Sequence, residues 1–541
     1  MGGGTSIWAS PDYKKDPREI FNKRLLLLAL TTACAGCAYG FDQGNIGGVL
    51  TFPAFRSTFG YDELSAQAAD EREGVVAGML SAGGAGGALI AAPLADFLGR
   101  KYAIAIMSTV FIIGAALQEV PILDAMYVGR FLAGLAIGAT SMLSPQFLAE
   151  NSPKSIRGTL TTSYNLMIIM ALALAFWINY GISRWPEEQF KTNRSWQLSL
   201  GIQMIPAGFV MISIWFLLET PRALIARGKD EEGLKNLCKL RQLPAEHPYV
   251  QQEYNEIVAQ TESEQGSARS FNYIAVFKSL AGSATNRRRF LLSMLLFLFQ
   301  KLTGTDALNY FAPQIFTMIG VPAGSSSLLT VGVYGIVKLT ATIIYVSFIV
   351  DRVGRRIPLL VGGTIQGCAM LYMGLYLRFG NVEAGAGTNA GGIVGIIFIQ
   401  LYAIGWSFGY SVAPYVVTAE IFPTRIRSVG MSLCFCFKWL VTYGITSAVP
   451  HMMRNLGYGT FLFFGCSTLF GVCVFYVILP ELKGRSLESM DDLFERPLYK
   501  MWKHAYPTEE EKVYHTTNPV FEEKEGFEHV TNVETRKGAD V

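Results

Sequence analysis

The stretch Phe299-Gln-Lys-Leu-Thr-Gly-Thr-Asp-Ala-Leu-Asn-Tyr-Phe-Ala-Pro313 decides how the chain is read. It continues the Leu-rich apolar run Phe290–Phe297, yet it places Gln300, Lys301 and Asp306 where hydrocarbon would surround a membrane helix. Ionisable groups at that depth are costly unless they face a bundle interior or a wet cavity. Gly304 and Pro313 loosen the helix, and backbone freed in this way is tolerated at membrane depth only beside protein or water. The stretch therefore predicts a broken helix that lines a midplane binding site, as in a transporter.

The surrounding composition agrees. Apolar residues make up 51% of the chain and charged residues 16%, against about a quarter charged in a soluble domain. A net charge of +3 is too small to suggest a nucleic-acid partner. Met1–Arg24 is polar and of mixed charge, and the first apolar run is too long for the h-region of a signal peptide. The eight cysteines fall almost wholly in apolar runs, so no disulfide framework is implied, and Cys34-x-x-Cys37 reads as helix packing. The five histidines lack ligand spacing, so neither a metal nor a cofactor is expected. No nucleophile–base–orienter set points to an enzyme.

A bilayer core of ~30 Å needs about 20 apolar residues per helix. Twelve runs qualify: 25–49, 75–95, 101–119, 124–148, 158–181, 197–218, 289–316, 328–350, 357–377, 391–419, 428–449 and 459–479. Twelve crossings put both termini on one side. Arg100-Lys101, Lys154/Arg157, Arg352/Arg355-Arg356 and Arg425/Arg427 share that side, which Lys/Arg enrichment marks as cytoplasmic. Arg184, Lys191 and Arg194 break the pattern in an outer loop, where Asn193-Arg-Ser195 forms a glycosylation acceptor. The expected organisation is a cytoplasmic N-terminal segment (1–24), a six-helix bundle (25–218), a cytoplasmic linker with short helices (219–288), a second six-helix bundle (289–480) and a cytoplasmic, largely disordered tail (481–541). Glu262–Arg269 is expected to be flexible.

The halves repeat each other. Asp96-Phe-Leu-Gly-Arg-Lys101 follows span 2, and Asp351-Arg-Val-Gly-Arg-Arg356 follows span 8. Ala149-Glu150…Arg157 matches Ala419-Glu420…Arg427, with the same Glu-to-Arg separation of seven. Glu219-Thr-Pro-Arg222 and Pro480-Glu-Leu-Lys483 close the two halves. These motifs, with Gly40-Phe-Asp-Gln-Gly44, Gln300…Asn309-Tyr310, Glu420-Ile-Phe-Pro423 and Pro480-Glu-Leu-Lys-Gly484, resemble the sugar porter family of the major facilitator superfamily, in the style of a fungal monosaccharide or quinate-type permease. The resemblance runs from about Arg24 to Arg496. It implies an all-α membrane protein of twelve transmembrane helices in two pseudo-symmetric six-helix bundles, working by alternating access as a multi-pass protein of the plasma membrane.

Asp42 and Arg130 fall at similar depths from the outer ends of spans 1 and 4, so they can pair. An Asp at this position marks proton-coupled members of the resembled family, which implies that Asp42 takes and releases a proton. The sets Asp96, Arg100, Glu150, Arg157 and Asp351, Arg355, Glu420, Arg427 are expected to form an inter-helix lock on the cytoplasmic mouth.

The substrate site departs from the family pattern. In span 7 that pattern reads Gln-Gln-x-x-Gly-x-Asn, whose amides serve sugar hydroxyls; here Gln300 remains, while Lys301 and Asp306 replace the others. Asn165 stands where a Gln is common, Tyr415 where a Trp is, and Lys438 replaces an Asn; Lys338 lies mid-span in helix 8. If Asp42 pairs with Arg130 and Asp306 with one lysine, two lysines remain, and an anionic substrate would compensate them. The competing reading is that Lys301 and Asp306 neutralise each other and that Lys338 finds a backbone carbonyl. Two substrate classes stay open for import by proton symport, a monosaccharide and a sugar acid or polyhydroxy carboxylate of galacturonate or quinate type; the alternative is facilitation of a neutral hexose, pentose or polyol. A secondary-metabolite exporter and a non-transporting sensor are the remaining alternatives. The expected partners are a small molecule, the proton and membrane lipid.

Overall fold

The computed structural model describes residues 16–506 apart from 154, 266–277, 279–281, 350–352, 381, 383–386, 484–489, 491 and 492. Every regular element among them is helical. Twelve helices are long and apolar enough to cross a bilayer: Lys23–Val49, Ala66–Leu98, Arg100–Gln118, Leu123–Asn151, Leu160–Ser183, Arg194–Phe216, Ala284–Met318, Ser325–Ile349, Arg356–Phe379, Ala390–Ile421, Val429–Asn455 and Tyr458–Ile478. They are spans 1 to 12. Where water is absent, a helix is the form that satisfies its own peptide groups. The ends obey local rules: Asn22 accepts from the N–H groups of Arg24 and Leu25, and Ser65 caps span 2 from Ala68.

Span 2 begins at Ala66, well before residue 75 where the apolar run starts. Its first turns carry Asp70, Glu71, Arg72 and Glu73, which lower the local hydropathy while the helix continues. Three spans are interrupted. Span 7 divides into Ala284–Leu302 and Thr305–Met318, span 10 into Ala390–Phe408 and Ala413–Ile421, and span 6 pauses between Gly201 and Met204.

Three helices follow span 6: Pro221–Ala226, Asp230–Arg241 and Pro248–Gln265. They are anchored on the face from which span 1 enters, termed the terminal face. Asn22 Nδ2 donates to the Leu240 carbonyl at 2.7 Å, and buried Arg241 grips Glu253 at 2.8 and 2.7 Å while donating to the Asn151 carbonyl. The last helix runs to Gln265, into the segment expected to be flexible; residues 266–269 lie outside the described residues. On the same face Glu481 N–H donates to the Ala505 carbonyl; the tail expected to be disordered beyond Tyr506 also lies outside them.

Two buried apolar clusters, each drawing on both halves, lie toward the two faces. One contains Ala38, Ala133, Phe299 and Trp439; the other contains Ile46, Met126, Ala307 and Val449. Asp42, Arg130, Lys301 and Asp306 fall along the chain in the intervals between them, while Lys438 lies within the first, between Phe435 and Trp439. Span 2 has no side-chain layer on two of its faces. A Cβ on Gly83 or Gly87 would overlap the carbonyl oxygens of Phe131 and Leu135 in span 4, and Gly134 and Gly138 return the contact. Across the halves, a Cβ on Gly74 would lie 2.6 Å from the Ser447 carbonyl oxygen and one on Gly84 2.7 Å from the Trp439 ring. Small residues permit this closeness between membrane helices.

Candidate functional site

The break in span 7 builds the site. Gly304 sits in the left-handed region at φ +85°, and a Cβ there would also press on Phe464 at 2.9 Å. Tyr402 Oη donates to the Thr303 carbonyl at 3.1 Å, bracing backbone released by the break. Across it, Lys301 Nζ stands 3.1 and 3.0 Å from the two Asp306 oxygens. The second half of span 7 brings Asn309, whose Oδ1 accepts from Lys338 Nζ of span 8 at 2.9 Å. The Lys338 ammonium also lies over Trp406, 4.1 Å from the ring centre.

Lys438 has different surroundings. Its ammonium lies 4.2 Å from the Trp439 ring centre, 5.3 Å from Tyr415 and 5.5 Å from Phe435. Cation–π attraction holds such a charge in place of a carboxylate. None of Lys301, Asp306, Lys338 and Lys438 is more than 5% exposed, and the charge of Asp306 reaches both Lys338 and Lys438. The four groups therefore share one electrostatic neighbourhood. Gln300 Nε2 donates to the Tyr410 carbonyl at 2.7 Å, leaving its Oε1 without a protein donor. Asn165 Nδ2 donates to Ser411 Oγ at 3.2 Å, joining span 5 to the break in span 10. Lys338 thus rests on a side-chain amide oxygen, where a backbone carbonyl had been the alternative.

Asp42 and Arg130 meet at 3.5 Å, and both are fully buried. Asp42 Oδ2, Arg130 Nε and Arg130 Nη2 have no hydrogen-bond partner among the described residues. Tyr310 is within electrostatic reach of Asp42, Arg130 and Asp306. Gln203 of span 6, fully buried with neither amide atom partnered among the described residues, was missed from sequence. An amide inside the run Gly201–Pro206 was the available signal.

The motif charges on the terminal face build the same device twice. Arg100 pairs with Glu150 at 3.2 Å and with Asp96 at 3.6 Å, and Arg355 pairs with Glu420 at 3.1 Å. Each of these pairs lies within one half. Glu219 accepts the N–H groups of Arg100 and Lys101, while Glu481 accepts those of Arg355 and Arg356. Gly99 at φ +100° and Gly354 at φ +87° make the turns, and a Cβ on either would strike those carboxylates. Arg157 donates to the Ser152 carbonyl and Arg427 to that of Phe422, each five residues back. Asp351 lies outside the described residues.

On the opposite, distal face Arg454 of span 11 reaches Asp70 of span 2 at 3.0 Å, an ion pair between the halves that sequence did not reveal. Tyr310 and Phe311 are buried below it, and a Cβ on Gly47 would lie 2.7 Å from the Tyr310 carbonyl oxygen. On this side span 1 therefore touches span 7, and span 2 touches span 11. Exposed Asn193 accepts from Thr58 Oγ1 at 2.6 Å through its side-chain oxygen.

Residues 28–494 match the family model described as "Sugar (and other) transporter". A probable quinate permease of Aspergillus fumigatus is 33% identical over 502 residues, covering 92% of each chain. The quinate permease of Emericella nidulans is 32% identical over 501 residues, covering 91% of this chain and 92% of its own. Among solved structures, the inward-open xylose transporter XylE from E. coli superposes with a TM-score of 0.70 at 21% identity, covering 87% of this chain and 99% of its own. The same transporter bound to 6-bromo-6-deoxy-D-glucose gives a TM-score of 0.71 at 22% identity, over the same shares. A broken span 7, twelve helices in two halves and the duplicated terminal-face device thus coincide with a match over most of the chain: the protein belongs to the sugar transporter family of the major facilitator superfamily.

Proposed function

We propose that the protein imports a polyhydroxy carboxylate, of the quinate or sugar-acid kind, together with a proton. The observation that carries this reading is the charge balance of the interior. Arg130 stands on Asp42 and Lys301 on Asp306, which leaves Lys338 and Lys438 with no carboxylate in contact among the described residues. A buried ammonium without a counter-charge is costly, and an anionic substrate supplies the missing charge. The printed names of the fungal relatives support the same class.

Asp42 is the proton carrier in this reading. It is fully buried, held through one oxygen by Arg130 and unpartnered at the other, so the pair can lengthen when the carboxyl takes a proton and shorten when it releases one. Tyr310 transmits the change to Asp306 and the substrate. The sets Asp96, Arg100, Glu150, Arg157 and Asp351, Arg355, Glu420, Arg427 keep each half rigid and gate the terminal face. That face is cytoplasmic and the membrane is the plasma membrane; the Arg100-Lys101 and Arg355-Arg356 turns support the orientation. Asn193, exposed on the distal face, is the glycosylation acceptor.

A second reading, facilitation of a neutral sugar or polyol, draws on Lys338 already resting on Asn309 and on the free Gln300 oxygen. Proteoliposomes separate the two. Labelled quinate, galacturonate and gluconate are offered beside glucose and xylose, with a pH electrode outside. Uptake of an acid with alkalinisation outside is expected. Uptake of glucose or xylose without competition by any acid overturns the proposal.

A further inference from the structure

Three lysines share the interior, and the structure sorts them. Lys301 is held at both oxygens of Asp306. Lys338 donates to Asn309 Oδ1 and lies on Trp406. The Lys438 ammonium, on a side chain only 2% exposed, meets no hydrogen-bond acceptor among the described residues and rests on aromatic faces alone. Arg130 is already committed to Asp42.

We infer that Lys438 is the group that receives the substrate's carboxylate, which fixes the substrate's orientation in the site. The carboxylate docks at the span 10–span 11 wall beside Tyr415 and Trp439. The hydroxyl-bearing end then points to the span 7 groups, Gln300 Oε1 and the Lys301–Asp306 pair. An ammonium with three donors and no acceptor gains charge-assisted bonds from a carboxylate. Hydroxyls suit span 7, where the Gln300 amide oxygen and a carboxylate accept from them and Lys301 donates. Lys301 already has its carboxylate and Lys338 already donates to Asn309 and lies on Trp406, so Lys438 has the most to gain from the same anion. Trp439 also touches the first half, packing on Tyr39 at 5.7 Å and against Gly84, so the anchored carboxylate lies where the halves meet.

The inference rests on the proposed anionic substrate, and the test separates the two. Full-length protein in proteoliposomes is assayed for labelled quinate uptake, with methyl quinate as the neutral competitor. Lys438→Gln is expected to raise the KM for quinate roughly 10- to 100-fold, the cost of one charge-assisted contact, while inhibition by methyl quinate stays within about twofold. Lys438→Arg, which keeps the charge, is expected to retain most of the affinity. A quinate KM unchanged in Lys438→Gln, in a protein whose wild type transports quinate, overturns the anchor alone. Parallel weakening of acid and ester does the same. A wild type that carries no acid overturns the substrate class and the anchor with it. Should Lys438→Gln not assemble, fluorescence decides. Quinate drawing the ammonium off the indole changes emission in the wild type but not in Trp439→Phe, and identical responses overturn the anchor.

Discussion

Lys301 and Asp306 are five residues apart, and on a regular helix they would diverge by about 140°. They meet because Gly304 interrupts the helix between them. Lys301→Met leaves Asp306 without its contacting ammonium, a change that costs about 3–5 kcal/mol when one partner of a buried pair is removed. Thermal unfolding in detergent should show that loss, and Lys301→Met/Asp306→Leu should recover most of it. Glu119, on the turn after span 3, is a second case: burial raises its carboxyl from the ordinary 4.5 to about 8. Between those values the native protein holds a proton that the unfolded chain has released, so stability falls as pH rises through the window. Melting temperatures should decline from pH 5 to pH 8 in the wild type, and the slope should flatten in Glu119→Gln. At this scale the buried lysines were legible, because a charge in an apolar run is conspicuous. The aromatic setting of Lys438 was not, since Tyr415 arrives from another span. Glu219 and Glu481 were visible as repeats, but their partners are backbone N–H groups, which no side-chain pattern marks.

Among elements, span 7 is defined by its interruption. Gly304→Ala places a Cβ in left-handed backbone and against Phe464, so the second half of the span must rotate and carry Asp306 and Asn309 away from their lysines. Strain at such a position costs about 1–3 kcal/mol, and the expected outcome is uptake reduced at least tenfold with the protein still inserted, read by transport against surface expression. Hydropathy located all twelve spans, since crossing a bilayer demands a long apolar run. It missed the polar opening of span 2, because those turns stand at the distal mouth where Glu73 pairs with Arg56 and Asp70 with Arg454. The break in span 10 was missed as well; Gly409 and the residues after it did not interrupt the apolar pattern.

For the whole molecule, the distal ion pair and the buried Asp42 govern different parts of one cycle. Arg454 and Asp70 are partly exposed, so the pair is worth about 0.5–1 kcal/mol. Arg454→Ala should raise the outward-open population roughly two- to fivefold by that measure, seen as a longer distance between spin labels at Glu71 and Asn455. Asp42→Asn should abolish uphill accumulation while leaving counter-exchange, and undiminished uphill uptake would remove Asp42 from the proton route. The two-half plan was legible because the Asp-x-x-Gly-Arg and Glu…Arg motifs recur at matching positions. The Arg454–Asp70 contact was not, since it joins residues that only the meeting of the halves brings together. The glycines of span 2 carry a mechanical consequence. Toward span 4 they weld the helix to its own half, and toward span 11 they offer a smooth track. A surface without protruding knobs has little to unseat when its neighbour tilts. Span 2 is built as a bearing: stiffly mounted on one side, and held on the other by contacts that a tilt must break, Ser432 on the Ala88 carbonyl and Arg454 on Asp70.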